Sequence, residues 1–176
     1  MLIKQVGYAD PDASKLIAAV QHEYVVRYGG QDGTPVDPAE FTPPAGLFLV
    51  GYDQGEPVAS GGWRSHGADA EIKRMYVAPA ARHRGLAHEL LAELERTAAA
   101  AGHRRVILES GSAQPEAVAL YRSSGYTPIP PFGHYATARG AVHLGKDLPQ
   151  DLPNTSSVAA TRTSLAPLAI GVVMRR

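Results

Sequence analysis

Glu71-Ile-Lys-Arg-Met-Tyr-Val77, Ala78-Pro-Ala-Ala81 and Arg82-His-Arg-Gly-Leu-Ala87 follow one another without a break. The first seven residues read as a strand. Pro79 stops it, because proline brings no N–H to a sheet ladder. Arg82, Gly85 and Ala87 then form an Arg-x-x-Gly-x-Ala turn into a helix predicted over 84–101. The start of a helix carries backbone N–H groups without internal partners and the positive end of the macrodipole. Small residues leave that backbone bare, so an anion such as a diphosphate can approach it.

Downstream, Leu90, Leu91, Leu94 and Ala98 make one apolar face of that helix, and Gly102 supplies its C-terminal cap. A strand over 104–110 follows. Joined to the preceding strand through a helix, it is expected to lie parallel to it by a right-handed crossover. A helix over 115–124 begins at Pro115 and stops at Gly125; strands over 126–129 and 141–148 complete the pattern. Upstream, a weak strand at 2–6 precedes a helix over 11–28, marked by Leu16, Ile17, Val20 and Tyr24 and ended by Gly29-Gly30. Strands at 46–52 and 58–64 flank a tight turn at 53–56 and form a meander with the opening strand. Within it, Gly61 and Gly62 suggest a bulge or a close approach. The fold class is therefore α/β: a mixed, mostly antiparallel sheet flanked by helices.

The chain has 176 residues, enough for one domain with a proper core. Its 17 basic and 17 acidic residues balance, which weighs against nucleic acid as a partner. The absence of cysteine excludes disulfides, cysteine-ligated zinc and an acyl-cysteine intermediate. No run reaches membrane-spanning length, so the expectation is a cytoplasmic protein without a membrane partner or a metal. After residue 148 the composition shifts to Ser, Thr, Ala and Pro. The reading is a domain over 1–148 and a disordered or loosely docked tail over 149–176.

Strand, Val77-x-Pro79, the Arg-x-x-Gly-x-Ala turn, helix, strand, and then Ala117, Tyr121, Gly125 and Tyr126 in an Ala-x-x-x-Tyr-x-x-x-Gly-Tyr run appear in fixed order. This order resembles the GNAT superfamily of acyl-CoA-dependent N-acetyltransferases. The resemblance implies that the fourth and fifth strands are parallel and splayed, and that acetyl-CoA is the acyl donor. It also implies that the backbone of Arg82, His83, Arg84, Gly85, Leu86 and Ala87 holds the diphosphate. Met75, Tyr76 and Val77 would run beside the pantetheine arm, with Gln114 in the place where many relatives carry an asparagine. By the same resemblance Tyr121 would protonate the departing thiolate, a role suited to a phenol near pKa ~10 facing a thiol near ~8.5.

The acceptor amine also needs a base. Glu71 on the fourth strand is the first candidate, Glu109 on the fifth the second and His66 the third. Arg27, Tyr28, Asp32 and Glu40, around the Gly- and Pro-rich connection at 31–45, and Tyr135 in the Pro-Pro-Phe-Gly-x-Tyr run are expected on the acceptor side. No Gly-x-Ser-x-Gly elbow is present, which favours direct transfer in a ternary complex. The expected activity is acetylation of a primary amine on a small molecule, and a homodimer is allowed. Two rivals stay open at this point: a protein or peptide N-terminal acetyltransferase, and a non-catalytic acyl-CoA sensor.

Overall fold

In the computed structural model, residues 1–149 are described; the expected tail, apart from Pro149, lies outside them. Seven strands form one sheet in the order β1-β2-β3-β4-β5-β7-β6. They are β1 Leu2–Val6, β2 Gly46–Asp53, β3 Glu56–His66, β4 Asp69–Val77, β5 Arg105–Gly111, β6 Thr127–Pro128 and β7 Ala141–Asp147. Among the described residues three α-helices complete the fold: α1 Pro11–Tyr28, α2 Leu86–Ala100 and α3 Pro115–Ser123. β1 to β4 are antiparallel neighbours, β4 and β5 are parallel, and β7 runs antiparallel to both β5 and β6.

Each helix covers a defined face. Leu90, Leu91, Leu94 and Ala98 of α2 pack with Trp63, Ile72, Val106, Leu108 and Leu144 of the sheet. The buried Trp63 donates its indole N–H to Thr97 Oγ1 at 3.0 Å, which satisfies the polar end of a large apolar side chain. On the opposite face, Leu16 and Val20 of α1 pack with Phe41, Phe48, Val50 and Tyr76. Strand alternation then fixes the remaining positions. Because Ile72, Leu108 and Leu144 enter the first core, Glu71, Lys73, Glu109 and His143 share the second face.

Sequence and structure differ at the entry to α2. The helix begins at Leu86, not two residues earlier, with Gly85 as its N-cap. Gly85 has φ 79° and His83 φ 61°, left-handed conformations that cannot continue a helix.

The β3–β4 ladder carries the decisive irregularity. Ser60 pairs with Tyr76 and Gly62 with Lys73, so Arg74 and Met75 together oppose Gly61. The extra residue therefore belongs to β4, and Arg74 takes φ 58°. Such a bulge bends its strand and increases the twist. β4 and β5 accordingly pair only at Ala70–Val106 and Glu71–Ile107. Beyond those pairs the two strands part.

The two glycines opposite this region differ in how closely they are approached. A Cβ on Gly62 would meet Phe48 Cδ2 at 2.6 Å, the Leu47 carbonyl oxygen at 2.7 Å and Phe41 Cδ1 at 2.8 Å. On Gly61 it would meet Leu94 Cδ1 at 3.1 Å, the end of a flexible side chain. Gly62→Ala is therefore expected to cost about 1–3 kcal/mol in urea unfolding, and Gly61→Ala distinctly less. Equal losses would contradict the packing described.

Candidate active site

A cavity of about 260 Å³ opens where β4 and β5 part. Lys73, Arg74 and Met75 of β4 and Glu109 to Gly111 of β5 form its floor. Tyr24 and Tyr28 come from α1, Asp32 from the loop after it, Gln114 from the start of α3, Ala117 and Tyr121 from α3 itself, and Tyr135 from the β6–β7 loop.

Its polar wall is a buried ion-pair network. Lys73, 5% exposed, lies 2.7 Å from Glu109 Oε1, 3.5 Å from Glu71 Oε1 and 3.9 Å from Asp32 Oδ2. Arg74 pairs with the same Asp32 oxygen, Oδ2. Asp32 Oδ1 accepts hydrogen bonds from the Thr34 amide at 2.9 Å, the Thr34 hydroxyl at 2.7 Å and the Tyr135 hydroxyl at 3.0 Å. Burial opposes ionisation of Asp32, but the Lys73 ammonium, the Thr34 hydrogen bonds and the Arg74 guanidinium together hold its pKa at about 2. Asp32 is therefore a permanent anion that fixes Arg74 and Tyr135, and a poor proton acceptor.

Tyr121 presents the opposite case. Burial pushes its phenol well above the ordinary value of 10.0, so it keeps its proton at neutral pH. Its ring packs 5.7 Å from that of Tyr126. Among the described residues none hydrogen-bonds its hydroxyl.

The last turn of α1 reaches over the parted strands to the β5–α3 connection. Arg27 donates to the Ala113 carbonyl at 2.9 Å and pairs with Glu116, while the Tyr28 hydroxyl donates to Gln114 Oε1 at 3.2 Å. A Cβ on Gly111 would collide with the Tyr28 hydroxyl, 2.0 Å away. Glycine at the end of β5 is what lets this roof settle.

At the other end of β4 lies the bare helix start. No side chain caps α2, and its first internal bond runs from the Glu89 amide to the Gly85 carbonyl at 3.1 Å. The amides before Glu89 thus have no helical partner, and with the left-handed turns at His83 and Gly85 they make a backbone site that could seat an anion. The arginines of the motif do not supply its charge. Arg82 is committed to the Val77 carbonyl at 2.8 Å and to Glu23, and Arg84 to Asp53 at 2.7 Å. His83 is exposed.

A sequence profile described as the acetyltransferase (GNAT) family matches residues 17–126, more than half of the chain. The chain belongs to the GNAT acetyltransferase family. It is 36% identical over 103 residues to an IAA acetyltransferase of Azospirillum brasilense, a match covering 57% of this chain and 67% of that protein. A solved Klebsiella pneumoniae structure, provisionally assigned as an acyl-CoA N-acyltransferase, superposes with a TM-score of 0.71 at 28% identity, over 84% of this chain and 97% of that one. The PaiA N-acetyltransferase of Thermoplasma acidophilum, solved with coenzyme A, gives a TM-score of 0.64 at 16% identity, over 84% and 99%. At that identity the last comparison speaks to the fold alone.

The protein is an acyl-CoA-dependent N-acetyltransferase with acetyl-CoA as its donor. Its residues fit that ligand: a seat of unpartnered amides at α2, an unpaired β4 edge past Ile72, and an opening beside Tyr121. Among the described residues no helix is long and apolar enough to cross a membrane, and no group of His, Asp or Glu could hold a metal ion.

The expected site residues separate in space. Tyr121, Glu109, Met75, Gln114, Tyr28 and Tyr135 line the one cavity. Glu71 does not. It is 2% exposed and bonded at 2.9 Å to Arg64, its partner across the β3–β4 ladder. Arg27 does not line the cavity either, because its guanidinium is spent on the roof. Glu40 pairs with Arg64 at 2.6 Å, and His66 Nδ1 lies 3.8 Å from Glu71, both outside the cavity. Lys73, Arg74, Thr34 and Tyr24 were missed by sequence reading; Lys-Arg in the middle of a strand with apolar neighbours was the available signal.

Asp32 offers a check on the network. Its folded pKa of about 2 lies below the ordinary 3.8, so its stabilising contribution is whole above about pH 4 and vanishes as the pH falls through 2. At pH 7 the difference corresponds to roughly 2 kcal/mol. Asp32→Asn should lose about that much in urea unfolding at pH 7, with the gap to wild type closing between about pH 4 and 2. A gap independent of pH would contradict the ion-pair assignment.

Proposed function

We propose that this enzyme acetylates a primary amine on a small molecule, by direct transfer within a ternary complex. Tyr121 acts as the acid and Glu109 as the base. The observation that carries the reading is the meeting of Tyr121 and Glu109 in one cavity at the point where β4 and β5 part, with Glu71 outside it. The cavity is small and its walls, Tyr24, Tyr28, Tyr135 and Asp32, are aromatic or charged. The α1–α3 tie roofs it. Those features suit a compact polar acceptor better than an extended peptide.

Acetyl-CoA supplies the activated acyl group; the protein supplies position and proton control. The amides at the start of α2 hold the diphosphate, and the unpaired edge of β4 beyond the bulge lies beside the pantetheine arm. Met75, freed from its ladder partner by the bulge, offers its backbone N–H to the developing oxyanion. An alkyl ammonium near pKa ~10.4 must lose a proton before it can attack. Glu109 takes that proton. Tyr121, kept protonated by burial, gives its own to the departing thiolate.

Tyr121→Phe removes the acid without breaking a hydrogen bond, so fold and acetyl-CoA affinity should be unchanged. In a thiol-release assay against amino acids, polyamines, aminoglycosides and peptides, turnover should fall by about a hundredfold or more. Full turnover in the variant would overturn the role of Tyr121. Parallel double-reciprocal plots would overturn direct transfer.

A further inference from the structure

Acetylation of an ammonium forms one C–N bond and breaks one C–S bond. The nitrogen loses two protons; one restores the acid that protonated sulfur, and one is left over for solvent. If Glu109 is the base, as proposed above, it must discharge that proton once per turnover. Glu109 Oε1 is held by Lys73 at 2.7 Å and accepts from the Thr34 hydroxyl at 3.4 Å. Oε2 is buried and has no hydrogen-bond partner among the described residues.

Directly opposite Glu109 in the β5–β7 ladder stands His143. Opposed residues of an antiparallel pair share a face, with Cβ atoms roughly 4.5–5.5 Å apart. His143 is 7% exposed, and among the described residues neither of its ring nitrogens has a hydrogen-bond partner. Buried polar atoms without partners are rare in folded proteins. Here three of them fall on two residues that face each other across one rung of the sheet. An apolar side chain at position 143 would avoid the cost, and the surroundings would accept it: the Phe132 ring covers His143 at 5.2 Å.

We propose that His143 is the proton outlet of Glu109. The proton taken from the acceptor amine passes from the Glu109 carboxyl to a ring nitrogen of His143 and from there to solvent, leaving Glu109 ionised for the next cycle. His143 touches no substrate and acts through Glu109, as a positioning and relay residue. The groups around it are few. β5 contributes Glu109, and β4 contributes Lys73 behind that carboxylate. β3 contributes His66 beyond Phe132, the two rings 5.4 Å apart. The residue after β6 contributes only the Ile129 amide, bonded to the His143 carbonyl at 3.1 Å.

The test joins kinetics to a measurement that needs no acceptor. His143→Phe should lower kcat/KM at least about tenfold near neutral pH, a part of the roughly 10²–10⁴-fold that general base assistance contributes. The deficit should shrink as the pH rises toward the pKa of the amine, which then arrives already deprotonated. A structural defect would lower the rate at every pH. Adding His143→Phe to Glu109→Gln should cost nothing further, and if His143→Phe folds poorly, His143→Gln, which is polar but does not titrate, should show the same pH-dependent deficit. Independently, the ring ¹⁵N resonances of His143 should move when Glu109 is replaced by Gln in the unliganded protein. An active enzyme with a flat pH deficit or none overturns the outlet and leaves the acetylation reading intact. Unmoved His143 resonances overturn the outlet even if no amine on the panel is acetylated.

Discussion

Arg74 takes a left-handed φ of 58° in the middle of a strand, a conformation that costs a residue with a side chain roughly 1–3 kcal/mol and persists only where its surroundings hold it. They do so here from two sides. The guanidinium is paired with Asp32, and Ser60 Oγ donates to the Arg74 carbonyl at 3.4 Å. The consequences spread outward. β4 bends, its pairing with β5 stops after two rungs, and an edge of backbone is exposed inside the domain without a neighbouring strand. A sheet edge is ordinarily a liability; in this position it borders the cavity between β4 and β5.

The two faces of the sheet are built on different terms. Under α2 the packing is apolar almost throughout. The face toward α1 is apolar only where α1 lies on it; beyond that, Arg64, Lys73, Glu71, Glu109 and His143 come together under loops. Charges in such a place are tolerated only when paired, since desolvation costs more than a poor pair returns. Lys73 meets this requirement by touching three carboxylates. The network leaves the three carboxylates in different situations: Asp32 is bound on both oxygens and Glu71 is paired with Arg64, whereas Glu109 keeps one oxygen without a partner among the described residues.

Much of this was legible in the amino-acid sequence, for physical reasons. Pro79, Gly85 and the apolar face of α2 each act locally, so the strand, turn and helix could be read without knowing the rest of the fold. The parallel β4–β5 pair followed from the handedness of a crossover. The choice between Glu71 and Glu109 did not follow, because it depends on register. Glu71 sits on the last rung where β4 and β5 pair, directly opposite Arg64, and Glu109 stands two residues beyond, where the strands have parted. The bulge that sets this point lies on β4, although the glycines that hinted at it lie on β3. Arg82 and Arg84 were equally opaque: their partners Glu23 and Asp53 are distant in sequence, and only the folded chain shows that both guanidiniums are engaged there.

The account depends on a bound diphosphate at the start of α2 and a pantetheine arm along the freed edge of β4. Backbone hydrogen exchange, with and without saturating acetyl-CoA, addresses both together. Protection should appear in two separate segments, the amides of 75–77 and those of 83–88, with the β1–β2 ladder unchanged. Protection confined to other regions, or none at all, would contradict the placement of the donor and with it the mechanism built on that placement.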